Sequence, residues 1–213
     1  MLKKAVLGMS VFLMLQSSAN GALYQWVDEK GGIHFSDQPP LTTPASEITE
    51  PSDNPRARSF ALPQHGSLVL VVPESWDHGI RLAPDNLPPT IVLTPRQGDE
   101  FKVLVTPLWS LKGEPGFNNP DATRRIVEKS RVSLLPTAVE RDVPLQEFKG
   151  KYGAGYSFSV TDKAPGDSYP YLVQAGLGVG DLWLNVTVLS RKKDSESIRR
   201  MLQALQGAEQ IRD

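Results

Sequence analysis

No cysteine occurs in a chain whose first residues read as an export signal, and that combination narrows the possible folds at once. Disulfides, thiolate metal sites and cysteine nucleophiles are all excluded. A protein outside the cytoplasm that lacks cross-links has to hold itself by burying apolar surface, and about 190 mature residues can supply such a core. The leader has three parts. Lys3 and Lys4 make a positive start, Ala5 to Leu15 is an apolar stretch broken only by Gly8 and Ser10, and Ala19-Asn20-Gly21 offers small residues for cleavage. That stretch is shorter than the roughly 20 residues a membrane helix takes. Residues 1–21 therefore read as a signal peptide cleaved near Gly21, and the mature protein as periplasmic, with no transmembrane helix after signal removal.

Removing the leader leaves 21 basic residues against 24 acidic, a net charge of −3. A nucleic-acid binder would carry a basic excess, so nucleic acid is excluded as a partner.

From residue 66 to 213 the apolar pattern predicts one α+β domain. Ser67 to Val72 is a continuous apolar run, expected of a strand buried on both faces. Thr90 to Thr94 and Phe101 to Trp109 read as further strands. Tyr156, Phe158 and Val160 alternate with Ser157, Ser159 and Thr161, and Leu182, Leu184, Val186 and Val188 repeat the pattern against Trp183, Asn185 and Thr187. Tyr171 to Ala175 makes a strand between these two, since short connections favour antiparallel neighbours. Asn119-Pro120 is an N-cap followed by proline, starting a helix to about Leu134 with Ala122, Ile126 and Leu134 at helical spacing. A second helix, capped by Asp194 or Ser195, carries the stripe Ile198, Met201, Leu202, Leu205 and Ala208. Helices packed on an antiparallel sheet are the expected architecture.

The N-terminal part is different. Tyr24-Gln25-Trp26-Val27 and Ile33-His34-Phe35-Ser36 are short β-type runs around Asp28-Glu29-Lys30-Gly31-Gly32, a hairpin connection whose glycines tolerate positive φ. Tyr24 and Trp26 share one face, as do Ile33 and Phe35. Should register bring those pairs together, residues 22–40 present an aromatic-aliphatic plate. An isolated hairpin is marginal in water, so the plate has to dock on the chain's own downstream domain or on a partner. Residues 41–65, with Pro44, Pro51, Pro55 and Pro63, read as a Pro-rich, extended linker.

Tyr24, Trp26-Val27-Asp28, Gly31, His34, Ser36-Asp37 and Pro39-Pro40 resemble the signature of the family catalogued as domain of unknown function 4124. The resemblance implies a short module of exported bacterial proteins joined to varied downstream domains, and brings no activity with it. Gln25 departs from the basic residue that often follows the tyrosine. Downstream, Val72 to Trp76, the Phe101-Lys102-Val103-Leu104-Val105-Thr106 strand, a middle helix, paired late strands and a closing helix are similar to the PsbP-like fold. That fold often serves binding or assembly.

Candidate chemistry is sparse. The binding residues singled out are Tyr24, Trp26, Ile33, His34 and Phe35. Asp28, Gly31, Gly32, Ser36 and Asp37 fit turn roles, because Asp and Ser side chains bond nearby backbone amides. His34 needs metal or catalytic partners, and His65 and His78, at a linker edge and in a loop, have no close ligand spacing. Ser190 to Lys193 matches Ser-x-x-Lys by chance, without the companion motifs of penicillin-recognising enzymes. No metal or cofactor is expected. The leading expectation is a non-catalytic binding or assembly protein of a Gram-negative envelope with a protein or glycan partner. A hairpin packed on its own domain, and a cell-wall hydrolase using a carboxylate pair, stay open.

Overall fold

The computed structural model describes residues 23–27, 33–36, 46–48, 54–83, 87–110, 113–166 and 168–212. The chain divides into two units, residues 1–50 and 51–213. The expected signal peptide, the loop Asp28 to Gly32 and the stretch Asp37 to Pro40 lie outside the described residues.

In the first unit β1 (Leu23–Val27), β2 (Ile33–Ser36) and β3 (Ser46–Ile48) form an antiparallel sheet in the order β2-β1-β3. The register sets Tyr24 and Trp26 opposite Ser36 and His34, and Gln25 and Val27 opposite Phe35 and Ile33.

The second unit runs, in chain order, through β4 (Pro55–Leu62), β5 (Gly66–Pro73), β6 (Trp76–Arg81), β7 (Thr90–Pro95) and β8 (Phe101–Trp109). Then come α1 (Pro120–Leu134), a 3-10 turn (Leu135–Thr137), β9 (Gln146–Gly150), β10 (Gly153–Thr161), β11 (Tyr171–Val179), β12 (Leu182–Ser190), α2 (Glu196–Gln206) and β13 (Glu209–Ile211). Seven strands make one antiparallel sheet, β6-β7-β8-β12-β11-β10-β9, and three make a second, β13-β5-β4. The expected linker over 41–65 is thus corrected at both β3 and β4. Pro55 opens β4 and Pro63 follows its last residue, positions where proline costs the ladder no hydrogen bond.

The large sheet is buried on both faces over its centre. On one face Leu93, Val105, Leu184, Val186 and Leu177 meet Phe60, Leu68, Leu70 and Val72 of the small sheet and Met201 and Leu205 of α2. On the other, Tyr156, Phe158, Val160 and Trp183 pack with Val127 of α1 and with Ala138 and Val143 beyond it. The small sheet has only one buried face. Leu68, Leu70 and Val72 are inaccessible while Val71 is 42% exposed, which corrects the expectation of a β5 covered on both sides.

Asn119 caps α1 as its sequence predicts, accepting the Ala122 N–H at 2.8 Å. Ala122, Thr123 and Val127 are buried and Leu134 packs against the same core, while Ile126 is 39% exposed. Gly176 makes room for this face. A Cβ there would lie 2.6 Å from Val127 Cγ2 and 2.8 Å from Trp183 Cζ2, so the glycine lets both side chains onto the sheet. In α2 the stripe is as expected: Ser195 precedes the helix, Met201, Ala204 and Leu205 are buried, and Ile198 and Leu202 are half-buried.

Glu140 ties the segment after α1 to β10, accepting from Thr161 Oγ1 at 2.6 Å and Thr161 N–H at 2.8 Å. Burial pushes its pKa up, but these hydrogen bonds outweigh burial and hold the carboxyl below its ordinary value. Such a group stabilises the fold above the unfolded carboxylate pKa, and that contribution is lost as pH falls through the folded pKa. Replacing Glu140 with Gln is expected to flatten the acid limb of stability measured by urea unfolding between about pH 3 and 7. Phe158→Ala is expected to cost about 3–5 kcal/mol in the same assay at neutral pH, because the ring is fully enclosed.

Candidate functional site

At one end of the second unit three connections converge: the β4–β5 turn, the segment between β8 and α1, and the β11–β12 turn. Gln210 of β13 joins two of them, donating from Nε2 to the His65 carbonyl (3.0 Å) and accepting the Asp181 N–H on Oε1 (2.7 Å). Gly180 has φ +58°, and a Cβ on it would lie 2.3 Å from that same Oε1, so the turn needs glycine for both conformation and space. Asn118 joins the third, donating to the carbonyls of Gly180 (2.8 Å) and Leu182 (2.9 Å). Asp181 is ion-paired with Arg212 at 2.5 Å.

These ties frame an open cleft of about 320 Å³, lined among others by His65, Trp109, Ser110, Glu114, Phe117 and Asp181. Trp109 ends β8 opposite Leu182, and its ring stacks on His65 with centroids 4.2 Å apart and planes 26° from parallel. The Ser110 hydroxyl accepts the Glu114 N–H at 2.8 Å. Aromatic walls with a few hydrogen-bonding groups are the usual make-up of a ligand site, and the volume falls at the lower end of such sites.

A second hollow, about 270 Å³, lies where α2 begins, beside Trp76 and Phe101. Ser190 Oγ is 3.0 Å from Ser195 Oγ and 2.9 Å from the Lys192 carbonyl, and Ser195 Oγ is 2.8 Å from Ser197 Oγ. Ser190 is 1% exposed. Its hydroxyl meets other hydroxyls and backbone rather than a base, so the Ser-x-x-Lys spacing builds no activated nucleophile.

The singled-out residues Tyr24, Trp26, Ile33, His34 and Phe35 all fall on β1 and β2, where register sets Trp26 against His34 and Tyr24 against Ser36. Asp28, Gly31, Gly32 and Asp37 lie outside the described residues. His78 is not in a loop but in β6, with Nδ1 accepting from Arg58 Nη1 at 2.9 Å and its ring edge-on to Phe60. Among the described residues no group of three or more His, Asp or Glu is gathered as for a metal ion. The cleft itself escapes sequence reasoning. His65 looks like the edge of a linker and Trp109 like strand packing, and 44 positions separate them without a linear signal.

Residues 10–59 match the model of a family described as a domain of unknown function, DUF4124. No curated protein matches the chain. Solved structures with similarity include a crystal structure from Bacteroides thetaiotaomicron VPI-5482, at 9% identity, 76% of this chain, 50% of that one and a TM-score of 0.41. The chain thus spans half the length of that protein. Another is the solution structure of cyanobacterial PsbP (CyanoP) from Synechocystis sp. PCC 6803, at 8% identity, 90% of this chain, 94% of that one and a TM-score of 0.38.

Asn118→Ala leaves the Gly180 and Leu182 carbonyls without this donor. It is expected to cost about 1–3 kcal/mol and to speed amide hydrogen exchange across residues 113–118. Unchanged exchange there would mean that other contacts hold the segment.

Proposed function

We propose that the chain is an exported, non-catalytic binding or assembly protein of the bacterial envelope, with the cleft at His65 and Trp109 as its ligand site. The observation that supports this most is the stacked His65–Trp109 pair beside hydroxyl and carboxylate groups that are already engaged in holding the frame. Ser110 serves a backbone amide and Asp181 serves Arg212, which suits recognition more than proton transfer. An aromatic wall rimmed by polar groups fits a ligand with a flat apolar face and hydroxyl or amide edges, as a cell-wall glycan has. Residues 1–21 act as the cleaved leader that delivers the protein to the periplasm.

β1 and β2 form a second contact surface. It carries the aromatic residues Tyr24, Trp26 and Phe35, whose rings would be buried against a partner. Each burial is worth roughly 1.5–3 kcal/mol.

One observation favours a hydrolase instead: Glu114 and Asp181, from different connections, line the same cleft. The ion pair with Arg212 commits Asp181, so the non-catalytic function is preferred.

Sedimentation with purified peptidoglycan sacculi checks the proposal. Wild-type protein is expected to pellet with sacculi, and Trp109→Ala to lose retention by more than about tenfold, as for an aromatic anchor. Equal retention of both overturns the glycan contact. Release of soluble fragments by wild type but not by Glu114→Gln would establish the hydrolase.

A further inference from the structure

The two edges of the seven-stranded sheet differ in exposed apolar area. β9 spans five residues, with exposed Glu147 and Lys149 around a half-buried Phe148. β6, at the opposite edge, runs Trp76-Asp77-His78-Gly79-Ile80-Arg81, with every residue after Trp76 exposed. Ile80 is 47% and the following Leu82 78% exposed. An exposed edge with apolar side chains between one acid, Asp77, and one base, Arg81, is a template for a strand of complementary charge.

The pairing with β7 shows which backbone groups face outward. Asp77 lies opposite Thr94, Gly79 opposite Val92 and Arg81 opposite Thr90, while Arg96 N–H donates to the Ser75 carbonyl at 3.0 Å. Hydrogen-bonded pairs alternate in an antiparallel ladder, so Asp77, Gly79 and Arg81 follow Ser75 in bonding to β7. The amides and carbonyls of His78 and Ile80 are directed to the open edge.

We propose that this edge pairs with the same edge of a second copy, antiparallel about a two-fold axis at Gly79. In that register His78 of each copy lies opposite Ile80 of the other, and these are the pairs whose backbone groups face outward. Gly79 meets Gly79, where an added Cβ would have nothing of its own chain within 4 Å. Asp77 falls opposite Arg81 and Arg81 opposite Asp77, so two ion pairs form on one face. On the other face Ile80 and Leu82 of each copy are covered. Such an interface is isologous, using one patch twice. The outer edge of β4 carries two bases, Arg56 and Arg58, and no acid to pair with them, and β13 spans only Glu209–Ile211. The result is one continuous sheet built from two seven-stranded halves. A contact this small is at the weak end for protein interfaces, with a dissociation constant on the order of micromolar.

Sedimentation equilibrium of the exported chain tests the pairing. Wild type is expected to show a concentration-dependent dimer. Arg81→Glu sets Asp77 against Glu, Asp77→Lys sets Lys against Arg81, and each alone is expected to weaken the dimer at least tenfold. An equimolar mixture of the two variants restores both ion pairs and is expected to recover the dimer as a heterodimer. Asp77 also pairs with Arg96, so melting curves must show both variants folded. Ile80→Pro, which removes an outward amide and none of the β6–β7 ladder, is expected to abolish the dimer while leaving the fold intact. A wild type that stays monomeric at every concentration, variants that dimerise like wild type, or a mixture that fails to recover the dimer would each overturn the proposal.

Discussion

The second unit depends on a sheet whose central strands are enclosed from both sides. On β12, Leu182, Leu184, Val186 and Val188 are at most 1% exposed toward the small sheet and α2, while Trp183 is 5% exposed toward α1. With no disulfide available, this two-sided burial is the main source of cohesion, each enclosed side chain contributing roughly 1.5–3 kcal/mol. Gly176 and Gly178 on the neighbouring β11 make the close approach possible. One admits Val127 and Trp183, and the other lies where a Cβ would be 2.2 Å from the Asn118 carbonyl oxygen. The indole N–H of Trp183 has no hydrogen-bond partner, a cost the packing around it offsets.

The candidate cleft follows from that packing. Once the segment leading into α1 is seated on Gly178, Asn118 reaches the β11–β12 turn, and Gln210 completes the frame from the C-terminal strand. Trp109 and His65 are then brought face to face by the ends of two different sheets. Binding chemistry placed on connections, with rigid strands behind them, is a common division of labour.

The sheet edges complete the account of what this architecture presents to its surroundings. Both edge strands carry an exposed acid and an exposed base, Glu147 and Lys149 on β9 and Asp77 and Arg81 on β6, and β6 adds the exposed Ile80 between its two charges. In the first unit, the backbone register sets Trp26 opposite His34.

Periodicity in the sequence determined the α+β class, the strands β8, β10 and β12, the start of α1 at Asn119 and the buried stripe of α2. Each of these rests on spacing within a few neighbouring residues, where sterics and backbone hydrogen bonding act locally. β6, β9 and β13 were not legible, because their residues are mostly polar or exposed and gain strand conformation only from the ladder beside them. The burial of α1 through Val127, the one-sided burial of β5 and the meeting of His65 with Trp109 were decided by tertiary structure alone. All three depend on which surface lies opposite, and contacts between residues dozens of positions apart leave no periodic trace in a chain.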